Sequence, residues 1–199
     1  EDDNGNFWLG TTTKGLWIFD KVNERFYPVK FPAAARTPFR NEVRKLDVAG
    51  GMLSVLMLRD HYIFDVRSVY LEHYRREHFL ELKLLLDYNA RYINNDEVFY
   101  GSSFYRTAMF TEDELWVLYC DTVHICRHSK DFRAWTMEPV ALADMGMNVE
   151  SLKGAVAALI PGTDNVFVQT TREIGCWNRR TRRLDFLTDF VSATDLLSS

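Results

Sequence analysis

The stretch that decides the fold lies at residues 5–26, where GNFWLGT (5–11) precedes GLWIFD (15–20) and then Arg25-Phe26. Two short apolar segments joined by a tight polar turn, with a third after a second turn, predict three successive β-strands. Weaker copies of this pattern recur along the chain. Recurrence at roughly 40–50 residues in strand-forming sequence is typical of repeat architectures.

Four segments of the chain can be laid over one another, and each contains three predicted strands. Their anchor residues lie 45, 63 and 51 residues apart and are Trp8, Leu53, Trp116 and Phe167. A further apolar segment precedes each of the last three copies, at 42–48, 104–110 and 155–160. These additions give four strands per unit, with the outer strand of the second unit predicted at 69–71.

The strands are apolar almost without interruption, as in residues 53–58 and 115–118. A small sheet that is apolar on both faces has to stack against neighbouring sheets to exclude water. The sequence therefore predicts an all-β fold, a β-propeller segment of about four four-stranded blades. The first blade is predicted to be incomplete, because only Glu1 and Asp2 precede its first turn.

The predicted domain organisation is a single propeller segment over residues 1–199. Its blades cover approximately 1–31, 41–75, 104–140 and 154–190, and residues 76–103 form an insertion. Within the insertion, alternating leucines at 80, 82, 84 and 86 favour a strand, whereas the spacing of Phe79, Leu82 and Leu86 also fits a helix face. Both a functional loop and a neutral insertion are open interpretations.

Composition excludes several function classes. The net charge of −4 and the pI near 5.8 give no general attraction to nucleic acid or to an anionic membrane surface. No apolar run approaches the roughly 18 residues needed to cross a bilayer, so no direct membrane insertion is expected. Three cysteines form no disulfide framework, and the start at Glu1 suggests a processed chain or an excised fragment.

The first repeat resembles the regulator-propeller repeat of bacterial hybrid two-component sensors. The resemblance rests on residues 1–11 (EDDNGNFWLGT), Gly15-Leu16, Phe19-Asp20 and Phe26; it covers about thirty residues well and all four units loosely. It implies a periplasmic location, within the sensor region of a membrane-anchored parent protein, and a glycan as the type of ligand. The kinase, receiver and membrane segments of that family are absent from this sequence, so their activities do not carry over.

Metal and catalytic motifs are sparse. His124, Cys126 and His128 share one face of a predicted strand, and imidazole with thiolate suits zinc. A closed zinc site needs four converging ligands, which one strand does not supply, so no metal site and no cofactor are expected. The sequence contains neither a nucleophile elbow nor a phosphate-binding glycine loop, and no catalysis is expected.

Candidate ligand-binding residues lie in the loops at one end of the predicted blades and in the insertion. Arginine and tyrosine there can bind carboxylates or stack on sugar rings. The candidates are Lys14, Arg36, Arg40, Arg59, Asp60, Arg91, Tyr92, Asp121 and Arg172.

The sequence thus predicts a non-catalytic ligand-sensing module in the periplasmic region of a two-component sensor. Expected partners are a small-molecule or oligosaccharide ligand, further blades of the same parent chain and a possible second copy in a homodimer, with no nucleic acid. Two alternatives stay open: a propeller enzyme that acts on glycans as a lyase or hydrolase, and a protein-interaction scaffold.

Overall fold

The computed structural model describes residues 1–32, 41–58, 60–93, 105–119, 122–144, 158–161, 165–169, 174–178 and 180–186. The chain is mostly β, as the repeats predicted: the described residues form four sheets of four strands and two short helices. With seven and five residues, these helices are far shorter than a bilayer crossing requires.

The first sheet is formed by the residues that open the sequence. Its antiparallel strands are β1 (Phe7–Gly10), β2 (Leu16–Asp20) and β3 (Arg25–Lys30), and β7 (Leu80–Glu81) adds to β3 in parallel. Burial alternates along β2, where Leu16 and Ile18 are buried and Trp17 is partly exposed. This period of two shows that one face of the sheet lies on the core.

The second sheet is antiparallel throughout. Its strands, in spatial order, are β4 (Val43–Ala49), β5 (Met52–Met57), β6 (His61–Asp65) and β8 (Lys83–Asp87). Every residue of β5 is buried. A strand buried on both faces requires apolar residues at successive positions, which explains the uninterrupted run that the sequence shows there.

Two further sheets follow in the second half of the chain. The third contains β9 (Tyr105–Phe110), β10 (Glu114–Tyr119), β11 (Thr122–His128) and β12 (Trp135–Ala141). The fourth contains β13 (Ala158–Pro161), β14 (Asn165–Gln169), β15 (Ile174–Asn178) and β16 (Arg183–Phe186). The strands predicted at 42–48, 104–110 and 155–160 correspond to β4, β9 and β13.

The chain divides into two compact units. The first is built on the first and second sheets and includes residues 110–113 and 128–135; the second contains the remainder of the third sheet and the fourth sheet. The core of the first unit lies between its two sheets, where Leu16, Ile18 and Val29 meet Val55 and Phe64. The predicted blade boundaries stay a prediction.

The prediction of a strand at residues 69–71 is wrong. The chain forms helix α1 (Leu71–Glu77) there, and β8 supplies the fourth strand of the second sheet. The sequence LEHYRRE is rich in residues with good helix propensity, and Tyr74 gives the helix one buried side chain. In the predicted insertion, β7 and β8 are strands as the leucine alternation favoured, and helix α2 (Tyr88–Tyr92) follows them.

A buried carboxylate organises the turn before β1. The oxygens of Asp2 accept hydrogen bonds from the Asn4 and Asn6 backbone N–H groups and from the Trp8 indole Nε1, at 2.9–3.0 Å. The amide of Asn6 donates both to Asp2, at 2.8 Å, and to the Val69 carbonyl, at 3.0 Å. The most repeat-like residues of the sequence therefore close a turn and fasten it to the loop after β6.

Candidate functional site

Backbone hydrogen bonds join the turn between β1 and β2 to the segment that enters β4. Gly15 N–H donates to the Asn41 carbonyl, and Val43 N–H donates to the Thr11 carbonyl, both at 2.9 Å. Within the turn, Thr11 N–H donates to the Gly15 carbonyl at 3.0 Å. Both segments are thus held in one backbone network at the same end of the first sheet.

The turn between β5 and β6 belongs to the same network. Leu58 N–H donates to the Glu42 carbonyl at 3.1 Å, and Met57 N–H donates to the Asp60 carbonyl at 2.8 Å. We call residues 11–15, 41–43, 57–58 and 60 the loop end. Recognition residues are commonly carried by loops on a rigid scaffold, and the loop end is therefore the candidate ligand-binding surface.

Helix α2 begins at the same end of the second sheet. Its N-cap residue, Asp87, lies opposite Tyr62 in the sheet and accepts a hydrogen bond from Ala90 N–H at 3.0 Å. The ring of Tyr88 lies 6.3 Å from that of His61, between centroids. The structure therefore places the predicted residues Lys14, Asp60, Arg91 and Tyr92 on segments that meet at one end of the first unit.

Lys14 is exposed on a fixed backbone. Its backbone N–H donates to Thr11 Oγ1 at 2.8 Å, and its carbonyl accepts from the indole Nε1 of Trp17 at 3.0 Å. In the described part of the chain, no carboxylate forms an ion pair with its ammonium. Lys14 therefore presents an open positive charge from a preorganised turn.

The other predicted residues of this unit are engaged within the fold. Asp60 is buried, and Tyr92 is half-buried with its ring 5.6 Å from that of Tyr88. The Nη2 of Arg91 donates to the Trp135 carbonyl at 3.1 Å, and its guanidinium carbon lies 5.7 Å from the Tyr92 ring centroid. These contacts fix α2. The remaining candidates lie outside the described residues and stay predictions: Arg36, Arg40, Arg59, Asp121 and Arg172.

A serine–histidine pair that the sequence analysis did not single out lies beneath the loop end. Ser54 Oγ is 2.7 Å from His61 Nε2, and the two residues are 2% and 0% exposed. Burial, with a smaller contribution from the charge of Lys45, lowers the pKa of His61 to about 3. The imidazole is therefore neutral, and the hydroxyl is out of reach of a substrate in solution. The sequence signal was two polar residues inside apolar strands.

The side chains considered as zinc ligands are buried or lie within hydrogen-bond distance of backbone carbonyls. His124 and Cys126 are buried in β11, and burial lowers the pKa of His124. The ring nitrogens of His128 lie 2.9 Å from the Ser129 carbonyl and 2.8 Å from the Glu112 carbonyl. Across the described ranges, no three His, Cys, Asp or Glu side chains are grouped as metal ligands would be.

A shallow groove of about 250 Å³ borders the loop end on the first sheet. Its lining residues are Leu9, Thr11, Lys14, Trp17 and Phe26. It is largely aromatic and aliphatic, with the ammonium-bearing Lys14 at one side.

No protein-family model matches the chain, and no curated protein matches it by sequence. Among solved structures, the extracellular domain of the putative hybrid two-component system BT4673 from B. thetaiotaomicron matches with a TM-score of 0.60 at 15% identity, over 96% of this chain and 24% of that one. PorZ, a bacterial surface component of the type-IX secretion system of Porphyromonas gingivalis, matches with a TM-score of 0.55 at 11% identity, over 94% of this chain and 21% of that one. The fold is shared. This chain spans about a quarter of the length of each of these solved chains.

Proposed function

We propose that the chain is part of the ligand-sensing extracellular or periplasmic region of a two-component sensor, with its four-stranded sheets as blades of a β-propeller. Three observations support this proposal. The four sheets share their strand number, and in each of them at least two consecutive strands pair antiparallel. Residues 1–26 carry the repeat pattern described above. The fold is similar to that of an extracellular domain of a putative hybrid two-component system.

The ligand that we propose is a glycan bound at the loop end. The observation that carries this proposal is the backbone network through Thr11, Gly15, Asn41 and Val43, because it fixes the exposed turn at residues 12–14 and the exposed Asn41 against two sheets. A prearranged surface loses little conformational entropy on binding. The ammonium of Lys14 is free to bond sugar hydroxyls or a sugar carboxylate.

The proposed module has no catalysis of its own. The Ser54 hydroxyl and the His61 imidazole lie within hydrogen-bond distance of each other, and both residues are buried, which supports a structural role. A nucleophile needs access to its substrate as well as a base within reach. A propeller enzyme would therefore have to use other residues for catalysis. Product formation from a bound oligosaccharide distinguishes such an enzyme from a module that only binds.

The test is calorimetric titration of the chain with a panel of neutral and acidic oligosaccharides. Replacing Lys14→Ala should weaken binding of the best ligand by about threefold to tenfold, the loss of one solvent-exposed charged contact. Lys130→Ala removes another exposed lysine, from the turn after β11, and should leave the affinity unchanged. Absence of binding across the panel, or equal effects of the two variants, would contradict the proposal.

The same samples separate the alternatives. Chromatography of each oligosaccharide after long incubation should show the starting material alone. Appearance of shorter or unsaturated products would favour the enzyme. Binding of no glycan, together with specific capture of a protein, would favour the scaffold.

A further inference from the structure

The turn before β1 contains the one Asn-Gly pair of the sequence, Asn4-Gly5. Asparagine is among the chemically labile residues of proteins. A glycine on its C-terminal side favours loss of the side-chain amide, because no Cβ shields the glycine backbone nitrogen from the asparagine side chain. Asn4 is exposed and Gly5 is half-buried, so water and hydroxide reach the pair. The turn is therefore a candidate site of spontaneous deamidation.

The reaction uses these two residues, hydroxide and water. Hydroxide removes the proton of the Gly5 backbone N–H, and the nitrogen attacks Cγ of Asn4. The new bond between nitrogen and Cγ closes a cyclic imide, and the bond from Cγ to Nδ2 breaks. Nδ2 leaves as ammonia after it takes a proton from water, which regenerates hydroxide. Water then opens the imide at either carbonyl and gives aspartate or isoaspartate, in which the main chain runs through Cγ.

In the folded chain, hydrogen bonds hold both reacting groups. The Gly5 N–H donates to the Asp2 carbonyl at 3.0 Å, and this bond makes the nitrogen harder to deprotonate. The Asn4 Nδ2 lies 3.1, 3.2 and 3.4 Å from three backbone carbonyl oxygens, those of Val66, Arg67 and Val69. The amide can swing onto the Gly5 nitrogen only after these bonds open. The folded turn therefore slows deamidation, and local opening of the turn permits it.

The same hydrogen bonds make the product a poor fit to the turn. The Asn4 amide donates to the three carbonyls, whereas the carboxylate of the product is only an acceptor. Without a proton to share, the side chain loses its link to the loop after β6. Isoaspartate also adds one main-chain atom between the Asp2 and Asn6 backbones, whose hydrogen bond of 3.0 Å, from Asp2 N–H to the Asn6 carbonyl, closes the turn.

We propose that Asn4 is a site of spontaneous deamidation, gated by local opening of its turn, and that the reaction releases the turn from the loop after β6. The second side-chain link to that loop runs from Asn6 Nδ2 to the Val69 carbonyl. It depends on the same turn, because Asp2 orients this amide. The change therefore spreads to the start of β1. It needs no ligand, so it does not depend on the function proposed above.

Peptide mapping by mass spectrometry tests the site. The chain is incubated in mildly alkaline buffer with and without denaturing guanidinium, and an isoaspartyl methyltransferase labels the isoaspartate that forms. In guanidinium, Asn4 should convert while Asn23, which precedes Glu24, stays intact. In buffer alone, Asn4 should convert more slowly by at least about tenfold. An unchanged Asn4 in guanidinium, or equal rates in the two solutions, would overturn the proposal.

Two substitutions distinguish local opening from unfolding of the whole chain. Asp2→Ala removes the carboxylate that accepts from the Asn4 and Asn6 N–H groups, so it should raise the rate in buffer by at least about fivefold. Met57→Ala leaves a cavity at a fully buried position in the loop end, and the rate at Asn4 should stay unchanged. Equal acceleration by both substitutions would show that deamidation waits for global unfolding, which contradicts a local gate.

Release of the turn is tested with a genetically encoded copy of one product. Asn4→Asp should shift the folding equilibrium toward the unfolded state by about tenfold in a urea titration, because the anchoring hydrogen bonds are lost. Asp3→Asn makes the reverse exchange at the neighbouring exposed position and should leave the equilibrium unchanged. An Asn4→Asp protein as stable as the parent chain would overturn the proposed release.

Discussion

Arg75 in helix α1 forms a two-pronged ion pair with Asp20 at the end of strand β2. Its Nε donates to Oδ2 at 2.7 Å, and its Nη2 donates to Oδ1 at 2.9 Å. Asp20 is fully buried and also accepts hydrogen bonds from Val22 N–H and the Asn23 side chain. The Arg75 guanidinium holds the pKa of Asp20 well below its usual range, against the effect of burial. This ion pair fixes helix α1 to the first sheet, although its two residues are 55 positions apart in the sequence.

Arg75→Met should destabilise the fold by about 2–3 kcal/mol, because it leaves the buried Asp20 carboxylate without its charged partner. The free energy of unfolding from urea denaturation is the measurement. Arg76→Met, at the next and exposed position of the same helix, should change that energy by less than about 0.5 kcal/mol. Equal effects of the two substitutions would show that the ion pair contributes nothing.

Asp2→Ala should destabilise the fold by about 2–3 kcal/mol, since Asn4, Asn6 and Trp8 together lose four hydrogen bonds to one buried carboxylate. The neighbouring substitution Asp3→Ala, on an exposed side chain, should be close to neutral. Tryptophan fluorescence during urea unfolding reports both effects. A fully stable Asp2→Ala protein would rule out this carboxylate as the organiser of the turn.

Stability should fall with acid through His61. Its pKa in the folded protein is about 3, below the ordinary 6.5, so only the unfolded state binds the proton between these values. The stability that neutral His61 contributes is therefore fully present above pH 6.5 and is lost as the pH falls toward 3, by about 2 kcal/mol between pH 7 and pH 5. His61→Gln should flatten this slope relative to the wild type, whereas His73→Gln, at an exposed position, should not.

Gly51→Ala should cost about 1–3 kcal/mol for two separate reasons. Gly51 has a φ of +71°, which alanine adopts only with strain, and a Cβ there would overlap the side chain of Arg67. Arg67 is held in place by Asp65, to which its Nε donates at 2.8 Å. In an Arg67→Ala background, the cost of Gly51→Ala should drop to about 1 kcal/mol, the backbone part alone. Thermal unfolding measures both values; an unchanged cost would exclude the steric part.

The strands were predictable because their signal is local. The uninterrupted apolar run in β5 predicts a strand that is buried on both faces. The alternation of burial in β2 corresponds to a strand with one buried face, and the structure has strands at both places. Helix α1 was missed because Val69, Tyr70 and Leu71 taken alone favour a strand, while the helix depends on the residues that follow. Its partner Asp20 lies too far away in sequence to enter a local pattern.

The candidate site was predictable only in outline. Turn composition identified the segments that carry Lys14 and Asp60, and these do meet at one end of the first two sheets. Which side chains are open depends on packing: Asp60 is buried, and Arg91 is bonded to the Trp135 carbonyl. Such contacts join residues far apart in sequence, and no spacing rule reports them.

Residues 80–87 form a short ribbon that contributes an outermost strand to both sheets of the first unit. Its first part runs alongside β3, its second part alongside β6, and Leu82 between them is almost completely buried. If one sheet slides or rotates against the other, backbone hydrogen bonds of β7 to β3 or of β8 to β6 have to break, and Leu82 becomes exposed to water. Strands β7 and β8 therefore hold the two sheets together. We expect the sheets to unfold cooperatively, both when the chain is pulled and when amide hydrogen exchange is measured.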